Sequence, residues 1–369
     1  MKKGYYIYVE NCGSSGVKKK IEMQIKAFSK YFNIEGIEVK TSNRTLIQRI
    51  GGILPWGSIA RDYVATLKKM ENPDFIYVRR TYIDKEYLDF FRNVKAKFPK
   101  CKIIVEIPTY PYKKEMLSTL YTTAMYIKEV IYRSKYRKYI DKFVTYSNDN
   151  EICGVSTICT TNGIDVNSIM PIEATSEYNA NSINLLAVAL LARHHGYERV
   201  INGLGEYYLE EQARKVFFHI VGDGPEYKKY NRLVKKHKIG EYVKFYGPKY
   251  GNELNEIYNI ADAGLAAFGV YKDGFSKLST IKAREYLGKG IPVILGAEDD
   301  LFPEEKSDYG LRFPNDSKTI NIEEIINYLD GLYINKKKKE INREIRKYAF
   351  EYADNEVTLR PVIEYILQD

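Results

Sequence analysis

In Ser279-Thr280-Ile281-Lys282-Ala283-Arg284-Glu285, two small hydroxyl residues open a segment of helical pattern, a lysine falls in its first turn and a glutamate follows one turn later. The N–H groups and dipole of a helix start favour phosphate. Lys282 adds a cation there, and a carboxylate at Glu285 accepts hydrogen bonds of the kind a ribose diol donates. These residue types outline a nucleoside diphosphate site. The competing reading makes Lys282 and Glu285 an i, i+3 surface salt bridge and nothing more.

Two further stretches carry related chemistry. His219-Ile220-Val221-Gly222-Asp223-Gly224-Pro225 reads as a buried strand ending in a tight turn, with proline set to open the next helix. Gly222 and Gly224 would let backbone N–H groups approach a ligand, although any doubly wound sheet needs such turns. A diphosphate calls for a permanent cation and aligned N–H dipoles, and Arg193, Arg199 and Lys282 are the cations available. Arg199 falls in the first turn of a helix opening after Gly196, aimed at the expected cleft or, in the bland reading, simply solvated. His194 and His195 read as loop hydrogen-bonders, because adjacent side chains rarely face one ion. Cys12, Cys101, Cys153 and Cys159 lack CxxC spacing, and Asp299-Asp300 sits in a surface-like stretch, so no catalytic metal is expected.

Strand-like segments alternate with helix-length amphipathic ones along the whole chain, the rhythm of parallel α/β sheets. Strands are predicted at 5–9, 36–39, 75–78, 103–107 and 143–146, with helices around 58–70, 85–98 and 117–139. A polar, aperiodic stretch, 171–177, reads as a linker. Strands at 184–192, 216–221, 243–246, 264–268 and 292–295 then form a second lobe. The expected organisation is an N-terminal Rossmann-like acceptor domain over 1–170 and a C-terminal donor domain over 171–354, with a last helix over 355–369 packing back on the first.

Five stretches in order resemble the GT-B glycosyltransferases of family 4 (group 1), as used in bacterial capsular and surface polysaccharide synthesis. Thr161-Asn162-Gly163-Ile164-Asp165 looks like the turn that ends the family's first domain. Ile220 to Pro225 resembles its hydrophobic-VGDGP turn, and Val243-Lys244-Phe245-Tyr246-Gly247 its V-x-F-x-G strand. Glu253-Leu254 to Ala263 and Glu285 to Val293 resemble its EL…YN-x-AD and EA-x-A-x-G-x-PV segments. The resemblance covers most of 160–300. It implies two Rossmann-like parallel-sheet domains facing a cleft, and transfer of a hexosyl unit from a UDP- or GDP-sugar to a glycan or lipid-linked acceptor, with retention and without a cofactor or metal.

Carried over residue by residue, the resemblance places Gly222, Gly224, Tyr246, Ser279, Thr280 and Glu285 against the donor. The family's donor-phosphate Arg and Lys fall near Arg193-His194-His195-Gly196, with His195 in the lysine position; a variant resembling HG-x-D/E-R, with Tyr197, Glu198 and Arg199 following Gly196, fits better. Gly13-Ser14-Ser15-Gly16 occupies the place of its glycine-rich cleft loop, with Ser15 and Gly16 against the diphosphate or merely capping a helix. Glu106-Ile107-Pro108-Thr109-Tyr110-Pro111-Tyr112 resembles a segment of capsule-type transferases that often holds a histidine. None is present here, which leaves Glu106, Thr109 or Tyr110 to contact acceptor or sugar, with Glu106 as a candidate base. Where the family often has a further glutamate facing the sugar, this chain has Lys277.

The bulk properties set the remaining bounds. A length of 369 residues fits two domains, and 44% hydrophobic with 28% charged residues fits a globular protein. The stretch Ile183–Ala192 is about half of the roughly 20 residues a spanning helix needs, and no signal peptide is read at the start, so a cytoplasmic protein is expected, at the inner face of the membrane if lipid is met. The net charge of +9 calls for an anionic partner. Over 117–143, tyrosines interleave with lysines and arginines, which suits an anionic membrane or an ordinary solvated helix. No nucleic-acid motif accompanies the charge. Rival readings are a nucleotide-sugar epimerase or hydrolase on the same fold and a catalytically silent sugar-binding subunit.

Overall fold

The structure, a computed structural model, describes every residue except 11–14, 42–44, 174–176, 180, 213, 303–305, 335 and 369. It divides into two compact units: Met1–Asn162 with Asn355–Asp369, and Gly163–Asp354. Residues 163–170, read from sequence as the end of the first domain, thus group with the second. Ile164 bridges Asp354, and the Asp354 carboxylate accepts from the Val166 N–H at 3.1 Å.

In the first unit the strands are β1 (Lys3–Val9), β2 (Asn33–Val39), β3 (Phe75–Arg79), β4 (Lys102–Ile107), β5 (Lys142–Thr145), β6 (Glu151–Ile152) and β7 (Val155–Cys159). They lie in the order β2-β1-β3-β4-β5-β7-β6, parallel except for the β6–β7 pair. Along β1 the side chains alternate between two cores. Tyr5, Ile7 and Val9 enter one, while Tyr6 enters the other with Phe28, Phe75 and Val144. Leu359, Val362, Ile363 and Ile366 complete that second core, so the last helix, Arg360–Leu367, covers one face of the first sheet. The helix read from sequence over 58–70 begins only at Tyr63, because Ala60 takes a left-handed φ of 55° and Asp62 caps the Ala65 N–H at 2.8 Å. The one read over 117–139 starts at Leu120 behind a Thr119–Thr122 capping box and tightens into a 3₁₀ turn after Arg133.

The second unit holds β8 (Ser182–Val188), β9 (Lys215–Val221), β10 (Val243–Gly247), β11 (Ala263–Leu265), β12 (Lys277–Leu278), β13 (Val293–Leu295), β14 (Glu298–Asp299), β15 (Lys306–Ser307) and β16 (Gly310–Arg312). Its main sheet runs β10-β9-β8-β11-β13-β16-β15, parallel but for the last pair, while β12 and β14 pair on their own. Counting β8 as first, its parallel strands follow the Rossmann order 3-2-1-4-5-6. In such sheets ligands sit beyond the strands' carboxyl ends where the order reverses. That point lies between β8 and β11 in the second unit, and between β1 and β3 in the first.

Candidate active site

The second switch point is built from two loops held together by backbone. After β8 the chain makes a short 3₁₀ turn over Arg193–His195, and the carbonyls of His195 and His194 accept the N–H groups of Phe268 and Gly269, beyond β11, at 2.8 and 3.0 Å. Gly196 sits at φ 61°, where an added Cβ would come within 2.3 Å of the Gly269 nitrogen. Only glycine fits that crossing.

From this junction the chain reaches the helix Ile281–Lys289, capped by Thr280, whose hydroxyl accepts from the Ala283 N–H at 3.4 Å. The Thr280 N–H donates to Asp299 Oδ2 at 3.2 Å, so the loop before the helix is tied to β14. Arg284, fully buried, donates to the Thr280 carbonyl at 2.9 Å and pairs with Asp299 and Asp300. Burial, with the Asp300 charge beside it, pushes the Asp299 carboxyl up, although Arg284 pulls it down. The sequence reading of Asp299-Asp300 as a surface stretch is therefore corrected: Asp299 is inaccessible and braces the helix start. Sequence reasoning missed this brace. The signal was an arginine on the apolar helix face of Ala283, Tyr286 and Leu287.

Lys282 stands in the first turn of this helix, partly accessible. Its Nζ donates to the Tyr197 hydroxyl at 3.1 Å, and Tyr197 in turn stacks on His195 with ring centroids 5.5 Å apart. Burial of the ammonium lowers the Lys282 pKa to about 7, with Glu285 pulling the other way. His195 is neutral: burial, then the Lys282 charge, lowers it to about 2, and its Nδ1 accepts from the Ala192 N–H at 3.2 Å. Arg193 is exposed, with no ion-pair partner among the described residues. Arg193, His195, Thr280, Lys282 and Glu285 thus share one neighbourhood beyond β8 and β11, and Ser279 adjoins Thr280.

Other expected donor contacts are committed elsewhere. Arg199 is a correction: 2% exposed, it gives its Nε to the Lys318 carbonyl at 2.6 Å, Nη1 to Phe268 at 3.0 Å, and Nη2 to Pro314 and Asp316 at 3.0 and 3.1 Å. Its guanidinium is an internal strut and is not presented to a ligand. At Gly222 an added Cβ would lie 1.8 Å from the Ala189 carbonyl oxygen, and the Gly222 N–H already donates to Gly247 at 2.8 Å. The Gly224 N–H bonds the Asp223 carboxylate at 2.7 Å. These glycines serve the crossing of two backbones, and their N–H groups are not offered to a ligand. Tyr246 hydrogen-bonds His219 Nδ1 at 2.8 Å, and His219 reaches Asn184 at 3.1 Å.

In the first unit, Gly16 is exposed near the start of the helix Ser15–Phe28, while Gly13, Ser14 and the Ser15 side chain lie outside what the structure describes. Glu106 is fully buried at the end of β4. Oε1 accepts from Lys20 at 3.2 Å, Arg79 at 2.7 Å and Tyr146 at 2.8 Å, and Oε2 from Tyr77 at 2.8 Å and Gln24 at 3.1 Å. Burial alone would raise its pKa, but the Lys20 and Arg79 charges and the tyrosine hydroxyls outweigh it and hold the group at about 2. The expectation of Glu106 as a base is corrected on this ground: a carboxylate so saturated neither reaches a substrate nor takes its proton. At the first switch point lies instead a cavity of about 560 Å³, lined among others by Val9, Arg61, Arg79, Arg80, Tyr82 and Thr109. Arg61 there donates to the Tyr82 carbonyl at 2.6 Å and has no carboxylate partner among the described residues.

Two doubly wound units, each with its constellation at a switch point, make up a GT-B fold, and the comparisons agree. Residues 172–351 match the family Glycosyl transferases group 1, so nearly all of the second unit is a domain of that family. Among solved structures, Anabaena HepE in complex with UDP and glucose is 13% identical with a TM-score of 0.63, covering 99% of each chain. Sucrose-phosphate synthase from Thermosynechococcus elongatus is 13% identical at 0.61, covering 99% of this chain and 98% of its own. The lipopolysaccharide outer core galactosyltransferase WaaB is 13% identical at 0.58, covering 99% of each. No curated protein sequence matches. Among the described residues no group of side chains could hold a metal ion, and no helix is long and apolar enough to cross a membrane.

Proposed function

We propose that the chain transfers a hexosyl unit from a UDP- or GDP-sugar to a glycan or lipid-linked acceptor in surface polysaccharide synthesis, with retention and without a metal. The observation that carries this is the setting of Lys282: a helix start at a Rossmann switch point, a partly accessible lysine whose ammonium is hydrogen-bonded to one tyrosine, and an exposed Arg193 nearby. As the bond from sugar C1 to the donor phosphate oxygen breaks, the diphosphate gains charge, and the acceptor oxygen bonds C1 as its proton passes to the phosphate oxygen that has left. Lys282, Arg193 and the N–H groups of the Ile281–Lys289 helix are the counter-charge for it, and Glu285 is the acceptor for the ribose hydroxyls. The UDP bound in the Anabaena HepE structure supports a uridine donor. The first unit, with its cavity, takes the acceptor, and segment 117–143 brings the enzyme against an anionic membrane at the cytoplasmic face.

A thermal-shift panel of nucleoside diphosphates and their sugars tests the donor assignment, because a ligand selective for the folded state raises the melting temperature. Lys282→Ala and Glu285→Ala each remove the shift given by the preferred nucleotide and leave the unliganded melt nearly unchanged. Wild-type shifts in both variants would show the two residues to be bystanders.

A further inference from the structure

The helix Leu120–Tyr132 is inside out. Its charged residues Lys128 and Glu129 are buried, while Leu120, Tyr121, Ile127, Val130 and Ile131 are exposed, Leu120 at 93%. The inversion is built in. Lys128 Nζ donates to the carbonyls of Gly52 and Gly57, and Glu129 accepts from Arg80, Tyr112 and Tyr136. Those contacts fix the rotation of the helix and turn its apolar row outward. They also pin the adjoining segment, where Ile50, Leu54 and Trp56 are exposed, Trp56 at 75%; Tyr132 adds a bond to the Pro55 carbonyl at 3.3 Å.

A contiguous apolar surface of this kind marks an interaction site. Its charge selects the partner. Lys113, Lys114, Lys135, Arg137 and Lys138 flank it and are exposed, Glu115 is the exposed acid over 113–138, and no acid occurs over 45–57. Apolar side chains flanked by cations, with an exposed tryptophan in the adjoining segment, match the boundary between anionic headgroups and acyl chains.

We infer that this face inserts into the headgroup–acyl boundary of an anionic bilayer, with Leu120, Ile127, Ile131 and Trp56 entering the lipid and the flanking lysines and arginines meeting its phosphates. The inference rests on the membrane contact proposed above and deepens it. Insertion of apolar side chains holds the protein there, and charge alone does not.

Trp56 is the chain's single tryptophan, so its emission reports on this face. Vesicles of phosphatidylcholine with phosphatidylglycerol shift that emission to the blue, brominated acyl chains quench it, and the protein co-sediments. Pure phosphatidylcholine binds at least tenfold more weakly. Raising salt to 0.5 M lowers binding to the anionic vesicles a few-fold without abolishing it. Leu120→Asp/Ile127→Asp/Ile131→Asp lowers co-sedimentation at least tenfold, and its melting temperature and nucleotide shift stay those of the wild type. Binding wholly released by salt, with no quenching, keeps the membrane contact and overturns the insertion. No binding to either vesicle overturns both, while an intact nucleotide shift leaves the donor site standing. A concentration-dependent dimer without lipid that the triple variant dissolves would instead make this face a contact between copies of the chain.

Discussion

Glu106 in the first unit and Lys282 in the second are both charges drawn into doubly wound sheets, and they are built in opposite ways. Glu106 is met by five donors, two of them cationic, and held at about 2. Lys282 has a tyrosine hydroxyl as its hydrogen-bond partner and lies lowered to about 7. A buried charge that its own protein satisfies belongs to the fold, because removing it strands its partners. A charge left with one neutral partner is unfavourable until an opposite charge arrives, which is the condition of a binding group. The difference separates structure from function more sharply than residue type does.

The largest effect expected from this contrast is on stability. Glu106→Ala leaves Lys20 and Arg79 buried together without their carboxylate, and a change of that kind costs about 3–5 kcal/mol. Denaturant unfolding of the first unit should register it. The pH dependence has a definite sign. The folded pKa of Glu106 lies below the ordinary 4.5, so its stabilisation is complete above 4.5 and is lost as pH falls toward 2. The variant should lose less stability than wild type across that window. A Glu106→Ala protein as stable as wild type but inactive would place Glu106 back among reacting groups and break the comparison.

Lys282→Ala should act the other way round, lowering turnover by about 10²–10³ without lowering the unliganded melt. Because the folded pKa of Lys282 is depressed from 10.5 to about 7, the unfolded chain holds the proton above pH 7 and the folded one does not. Wild type therefore gains stability relative to the variant as pH rises from about 7 to 10.5. Diphosphate binding recharges the lysine, so affinity should fall by up to about tenfold per unit above pH 7. Calorimetry in buffers of different ionisation enthalpy would read that proton uptake directly; a wild-type affinity flat in pH contradicts it.

The sequence carried the fold well and the roles of single residues unevenly, and the reason is visible at particular positions. Strands such as Phe75–Arg79 and Lys215–Val221 announce themselves because burial on both faces demands continuous apolar residues. Short edge pieces such as Lys306–Ser307 lack that pattern and went unread. The first-turn position of Lys282 was legible because the small residues Ser279-Thr280 mark the start of the helix. Arg199 was misread because its partners, the carbonyls of Phe268, Pro314 and Lys318, are far along the chain and periodicity cannot show them. The outward face of Leu120–Tyr132 was hidden for the same reason: the carbonyls of Gly52 and Gly57, far along the chain, show which way Lys128 turns.

Arg199→Lys sharpens the contrast within the second unit. A lysine keeps the charge but loses the planar fork that bridges three carbonyls and Asp316, so stability should fall by about 1.5–3 kcal/mol while nucleotide shifts persist. Lost nucleotide binding on an unchanged melt would return Arg199 to the ligand side of the comparison.

The smallest effect is expected at Tyr246, which stands between the two classes. Its hydroxyl meets His219 Nδ1 at 2.8 Å, and burial, with Lys244 nearby, lowers that histidine to about 4, so a neutral ring accepts the bond. Tyr246→Phe keeps the ring and strands one acceptor, which costs about 1 kcal/mol. If the hydroxyl only braces His219, donor Kd should change by less than about threefold, which is under 0.7 kcal/mol. Isothermal titration with the preferred nucleotide decides the matter. A tenfold weakening would mean that the hydroxyl bonds the donor as well as His219, and the boundary between satisfied and available groups would then run through a single side chain.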